Sequence, residues 1–243
     1  GYFGYPIVTG NFFIFSAIGG IAQILATLCV IALFKQRNFA VGIAFKKTET
    51  LQIAVISVVV LGEKVSINAL CAICIGFVGL VLLSKQPLKR SFLEEGVFNR
   101  SVFLGLLSGF LFAISGVYYR ASTLNVLDES SINRAIFTLT FVLVFQVIAM
   151  GGWLMLFNRD ELKAVWKVRS VAIWVGLTSL AGSFCWFWAF SLVNAALVKA
   201  VGQIELLFSI LASIVLFKEK ITGRELVGIF TVMLSLIGVI ALG

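Results

Sequence analysis

Histidine is absent from this 243-residue chain, proline occurs twice, and only 12% of its residues are charged. Without histidine, imidazole-based catalysis and most mixed zinc sites are excluded. Soluble domains carry about 25% charged residues, so the low charge argues against both an ordinary soluble enzyme and a disordered chain. Cysteine is sparse too: Cys29, Cys71, Cys74 and Cys185 all lie inside apolar runs. The Cys71/Cys74 pair has CxxC spacing but no second pair, and reads as small buried apolar residues rather than a metal or redox site. A phosphate-binding loop is also missing, which argues against direct coupling to ATP. No metal and no cofactor is expected.

Apolar residues make up 60% of the chain, with 23 Phe and 22 Gly. Mean hydropathy is +1.09. The bias is uniform along the chain, so this is an integral membrane protein rather than a soluble domain with an anchor. Long unbroken apolar runs point to helices, because a membrane barrel needs about ten-residue alternating segments. The fold class is therefore all-α, a polytopic membrane helix bundle. The net charge of +8 implies basic loops at an anionic membrane surface. Its expected partners are the lipid bilayer and a small-molecule substrate, with a homodimer open and no nucleic acid. The chain starts at Gly1 and shows no signal peptide; a fragment, a trimmed chain and a naturally short protein all stay open.

A span needs about 20 largely apolar residues. Eight segments fit, at roughly 11–34, 39–61, 67–84, 101–121, 132–157, 171–193, 195–217 and 223–242. Alternate connectors differ in Lys/Arg content, thirteen against three (Lys64, Arg120 and Arg134). Positive-inside asymmetry then places both visible ends outside the cytoplasm.

The chain repeats itself. An offset of 156 aligns residues 12–84 with 168–240 without gaps, and 15 of the 73 pairs are identical, against about 6 by chance. Matches cluster between Asn38/Asn194 and Lys64/Lys220 and include Glu49/Glu205 and Glu63/Glu219. Residues 1–90 form an incomplete first repeat of three helices, and residues 91–243 a second of five. If each repeat originally held five, two helices precede Gly1 in the complete protein. An odd number of spans per repeat inverts one against the other.

Each copy ends in an acidic-basic pair before its last helix, Leu61-Gly62-Glu63-Lys64 and Phe217-Lys218-Glu219-Lys220. In this pattern and its duplication the chain resembles the EamA domain of the drug/metabolite transporter superfamily. The resemblance implies ten helices in two inverted halves and export or exchange of small metabolites, amino acids or drugs. It further implies a secondary carrier working by alternating access in the cell inner (plasma) membrane, not an enzyme. Relatives of this kind are usually drawn with cytoplasmic termini, opposite to the charge count.

Ionised side chains at bilayer depth are costly, and so are candidates for function. Glu49 and Glu205 occupy equivalent positions about ten residues into their helices. Lys46, Lys199 and Gln203 lie near them, and a local Lys46–Glu49 pair is expected from the three-residue spacing. Trp186, with Phe190 and Gly182 on one face, is a candidate wall for an organic substrate. The rival reading is a structural or assembly protein whose central charges only hold helices together. Tyr118, Tyr119 and Arg120 read as an interfacial anchor, Glu63–Lys64 and Glu219–Lys220 as helix-end caps, and Gly105, Ser108, Gly109 and Gly116 as close-contact positions.

Overall fold

The computed structural model describes residues 6–36, 39–83, 100–205, 207, 208, 211, 215 and 222–242. The helices are α1 (Asn11–Phe34), α2 (Phe39–Lys46), α3 (Glu49–Leu61), α4 (Ile67–Leu83) and α5 (Arg100–Leu124). They continue as α6 (Ser131–Phe157), α7 (Arg159–Lys167), α8 (Arg169–Leu192), α9 (Ala195–Gly202) and α10 (Gly223–Leu242). Two short strands, β1 (Ile7–Val8) and β2 (Val126–Leu127), pair antiparallel. Among the described residues, α1, α5, α6, α8 and α10 are long and apolar enough to cross a membrane, and α4 is a shorter apolar helix.

Two expectations need correction. The segments 39–61 and 195–217 were each expected to be one helix. The first is interrupted at Lys47–Thr48, between α2 and α3, and the second at Gln203, after α9. Most of the second segment beyond Glu205 lies outside the described residues, as does the Glu219–Lys220 pair. The polar interval after Asn158 is itself helical, as α7.

The chain packs as two units, residues 1–24 with 118–193 and residues 25–117 with 194–243. This is a division of packing, and it differs from the division into repeats. In the first unit Phe12 is fully buried, its ring 5.4 Å from those of Phe137 and Phe141. Tyr119, read from the sequence as an interfacial anchor, is instead buried. Its hydroxyl donates to Gln23 Oε1, and Gln146 Nε2 donates to the same oxygen at 2.8 Å. Three helices thereby satisfy one another's polar groups away from water, where a lone amide would be costly. The end of α8 is closed in the same spirit: Arg120 Nη1 donates to Phe190 O at 2.7 Å and Arg134 Nη2 to Ser191 O at 3.0 Å. Cationic donors there satisfy carbonyls that a helix terminus leaves without partners.

The second unit is built around α4 and α10, which are equivalent elements of the two repeats (67 and 223 differ by 156). A Cβ added at Gly76 would lie 2.4 Å from Ser235 Oγ, and one at Gly79 would lie 2.8 Å from Val232 Cγ2. Position 76 corresponds to 232 and position 79 to 235, so each contact is the repeat image of the other. Such reciprocity is the mark of a two-fold relation. Gly228 approaches Leu83 and Gly238 approaches Ala72, so contacts rise along one helix as they fall along the other, and the two run antiparallel. Missing side chains permit this approach, which in a membrane is favoured by dispersion rather than by water release. The sequence expectation for Gly105 and Gly109 holds here too: a Cβ on Gly105 would sit 2.2 Å from Gly42 O, and one on Gly109 2.8 Å from Lys46 O.

At the end of α3, Gly62 adopts φ 63° and ψ 17°, and its N–H bonds Val58 O at 3.1 Å. A left-handed residue at this place closes the helix, and glycine adopts it without a Cβ clash. Helix α4 then starts with the Ser66 hydroxyl accepting from Ala69 N at 3.0 Å.

Candidate functional site

The interruption of the first repeat's helix is a local consequence of its sequence. Lys47 N and Thr48 N bond back to Ala44 O and Phe45 O, three residues earlier rather than four. Thr48 Oγ1 donates to Phe45 O at 2.7 Å and Thr50 Oγ1 to Lys47 O at 3.2 Å. Hydroxyls that compete for main-chain carbonyls loosen the α-helical ladder, and the tighter turn takes over. In the second repeat Gln203 N bonds Ala200 O, again three residues back. Lys47 and Gln203 are equivalent positions, so both repeats break at one place.

Each break puts opposite charges where helix ends favour them. Lysines fall in the last turns of α2 (Lys46) and α9 (Lys199), and a glutamate follows the break in each repeat. Cations are stabilised at helix C-termini and anions at N-termini. The pairing, however, is between repeats. Lys199 Nζ lies 2.7 Å from Glu49 Oε1, with side chains 21% and 14% exposed. Lys47 Nζ lies 3.0 Å from Glu205 Oε1, at 28% and 62% exposed. All four residues belong to the second unit.

Of the residues picked from the sequence, Glu49, Glu205, Lys199, Lys46 and Gln203 fall in that unit. The Lys46–Glu49 pair expected from spacing does not form. The break separates the two residues onto different helices, and Glu49 turns to Lys199. Lys46 Nζ instead rests 4.6 Å from the centroid of the Phe112 ring. Gln203 is 8% exposed, and among the described residues its side-chain oxygen has no hydrogen-bond partner. It lines a narrow crevice against Ile73 and Gly76 of α4 and Val232 and Ser235 of α10. Trp186 lies in the other unit, its ring 6.0 Å from that of Phe190.

Sequence reading passed over Lys47 as a partner, although it is adjacent to Lys46 and equivalent to Gln203. Gln52 is a second residue that the sequence did not single out. Gln52 Nε2 donates to Thr48 Oγ1 at 2.9 Å, while its Oε1 is buried without a partner among the described residues. Glu63, expected at a helix end, accepts from Ser57 Oγ at 2.7 Å. Among the described residues no cluster of His, Cys, Asp or Glu could hold a metal ion.

Residues 99–241 match the model of the EamA-like transporter family. A solved structure described as "Crystal structure of protein" is similar in fold, with a TM-score of 0.60 and 14% identity, covering 96% of this chain and 88% of that one. No curated protein matches.

Proposed function

Because the chain belongs to the EamA-like transporter family, we propose that it carries a small polar or amphipathic metabolite by alternating access, with Glu49 and Glu205 in the substrate or coupling path. The observation that carries this reading is the pair of helix breaks at equivalent positions, each flanked by charge. Interrupted helices with exposed termini are how inverted-repeat carriers build sites within the bilayer. Charges that bridge the repeats have two competing sets of partners, lysine and substrate or proton, and can exchange between them as the repeats move. Driving energy then comes from a coupled proton or from exchange. The membrane proposed is the cell inner (plasma) membrane, in which this multi-pass protein sits as a monomer or a homodimer.

A second reading has its own support: both carboxylates are held by lysines, as they would be if they only fixed helix packing. Reconstitution separates the two. The protein is placed in liposomes and screened for uptake of a metabolite panel under an imposed pH gradient, beside Glu205→Gln and Glu49→Gln. Flux that collapses in the variants supports the carrier and its site. Flux unchanged in both keeps a carrier but removes these residues from its path. Absence of flux in well-folded protein favours the structural reading.

A further inference from the structure

Helix α7 is joined to α6 through Asn158 alone and to α8 through Val168 alone. Both neighbours are long and apolar enough to cross a membrane, so joints of one residue hold α7 at the membrane surface. None of its residues is buried, and its sides are unlike. Leu162, Val165 and Trp166 share one exposed apolar face. Arg159, Lys163 and Lys167 recur every fourth residue and stack into a ridge along one flank of that face. Glu161 falls on the other flank, beside Val165, and Asp160 lies behind the ridge.

The cations of this ridge face outward. Lys163 donates to Asp160 at 3.0 Å, but the two side chains are 74% and 97% exposed. An exposed pair of this kind is weak and is screened by salt. Arg159 gives Nε–H to Met155 O at 2.9 Å, and Arg169, at the start of α8, gives an Nη1 hydrogen to Trp166 O at 3.3 Å. A guanidinium has five N–H donors, so each arginine keeps others. Arg169 also lies over the Trp166 ring at 5.6 Å, which holds its charge at the rim of the apolar face. An apolar face for acyl chains, rimmed by cations, is the complement of a lipid with a negative headgroup. A zwitterionic lipid offers the same chains, but its phosphate already has a cation of its own.

We propose that α7 is a seat for anionic phospholipid. The headgroup phosphate rests on Arg159, Lys163, Lys167 and Arg169, and the acyl chains lie against Leu162, Val165 and Trp166. A basic loop alone gathers anions diffusely, whereas an apolar face with its cations on one flank fixes a lipid at one place. The seat is independent of the carrier reading, since it forms whether or not the protein moves a substrate.

The test is fluorescence quenching in vesicles, using the full chain with Trp166 as its one tryptophan. Phosphatidylglycerol brominated near the headgroup is compared with phosphatidylcholine brominated in the same way, at equal mole fraction. Each Lys or Arg near an anionic surface is worth about fivefold in affinity. Quenching of Trp166 should therefore show a preference of about fivefold or more for phosphatidylglycerol. It should shrink in salt on the order of 1 M, where the screening length is about 3 Å. Lys163→Gln/Lys167→Gln should lose most of the preference, and Lys163→Arg/Lys167→Arg should keep it. These lysines lie on the surface, where substitutions scarcely alter folding, and the arginine pair checks that independently. A second reporter chain keeps only Trp188, near the other end of α8, and should show no preference. Equal quenching of Trp166 by the two lipids overturns the seat, as does a preference that survives the glutamine pair. An equal preference at Trp188 also overturns it, because that would be general attraction to a chain of net charge +8. Soluble glycerol 3-phosphate should not compete; if it abolishes the preference, the ridge binds free phosphate and the lipid seat falls.

Discussion

Glu49 and Lys199 come from different repeats yet lie 2.7 Å apart, and their pair is less exposed than Lys47–Glu205. The other pair, Lys47–Glu205, ends in a carboxylate that is 62% exposed. The two pairs therefore differ in what their loss leaves behind. Removing one partner of a fully buried pair strands a charge at about 3–5 kcal/mol and exposed pairs contribute about 0–1 kcal/mol; the partly buried Glu49–Lys199 pair falls between the two. Lys199→Gln is expected to destabilise the protein more than Lys47→Gln, as read by thermal unfolding in one detergent. Exchanging the charges in a Glu49→Lys/Lys199→Glu double variant should recover part of the loss, since the coupling belongs to the pair. Equal effects of the two single substitutions would contradict this ordering.

The glycine contacts give a second prediction. At Gly105 an added Cβ meets the main-chain oxygen of Gly42 at 2.2 Å, and main chain cannot rotate away as a side chain can. Overpacking of a tight contact costs about 1–3 kcal/mol. Gly105→Ala should therefore lower the unfolding temperature by several degrees. Gly151→Ala is the matched control in α6: its added Cβ has nothing within 4 Å, and alanine is the better helix former. That variant should be as stable as the parent or slightly more so.

A third prediction concerns the buried amides of the first unit. Tyr119→Phe removes only a hydroxyl, but Gln23 Oε1 then loses one donor and keeps Gln146 Nε2. Hydrogen bonds between membrane helices average about 0.6 kcal/mol and reach about 1.7. A loss within that range is expected for Tyr119→Phe. Gln23→Leu should be worse, because it leaves both Tyr119 and Gln146 without their shared acceptor. A Tyr119→Phe variant more costly than Gln23→Leu would contradict this ordering.

What the sequence made legible follows from how local each signal is. Helix α1 was read at 11–34 and found at Asn11–Phe34, because a long apolar run bounded by polar residues has one reasonable reading in a bilayer. The 156-residue offset that sets Glu49 opposite Glu205 is a property of the sequence itself, where two acids at one offset stand out against apolar noise. The helix breaks were not legible. Lys46-Lys47-Thr48 contains neither proline nor glycine, and the hydroxyl-to-carbonyl bonds that open the turn are visible only in three dimensions. Partner choice was illegible as well. Spacing offered Lys46 to Glu49, whereas antiparallel packing of the repeats brings in Lys199 from 150 residues away. Tyr119 misled for the same reason: Tyr-Tyr-Arg has the composition of an anchor, and Gln23 and Gln146 lie 96 and 27 residues from it.

The last prediction concerns α7, which joins the spanning helices α6 and α8 and buries none of its residues. Leu162, Val165 and Trp166 lie at i, i+3 and i+4 and form an exposed apolar face. Asp160, Lys163 and Lys167 occupy the opposite side, with Lys163 Nζ 3.0 Å from Asp160 Oδ1. Trp166 also stacks under Arg169 at 5.6 Å. A short amphipathic helix tied at each end to a span has its apolar face satisfied by the boundary between headgroups and acyl chains, about 5–10 Å deep. In a variant whose other tryptophans (Trp153, Trp174, Trp186 and Trp188) are replaced by phenylalanine, Trp166 fluorescence should be quenched by lipids brominated near the headgroup. Lipids brominated at mid-chain should quench it less, and aqueous iodide should quench it weakly. Val165→Glu should move the emission to the red and raise iodide quenching, because a carboxylate on the apolar face lifts the helix toward water. Strong iodide quenching in the parent, without bromolipid quenching, would place α7 in solvent.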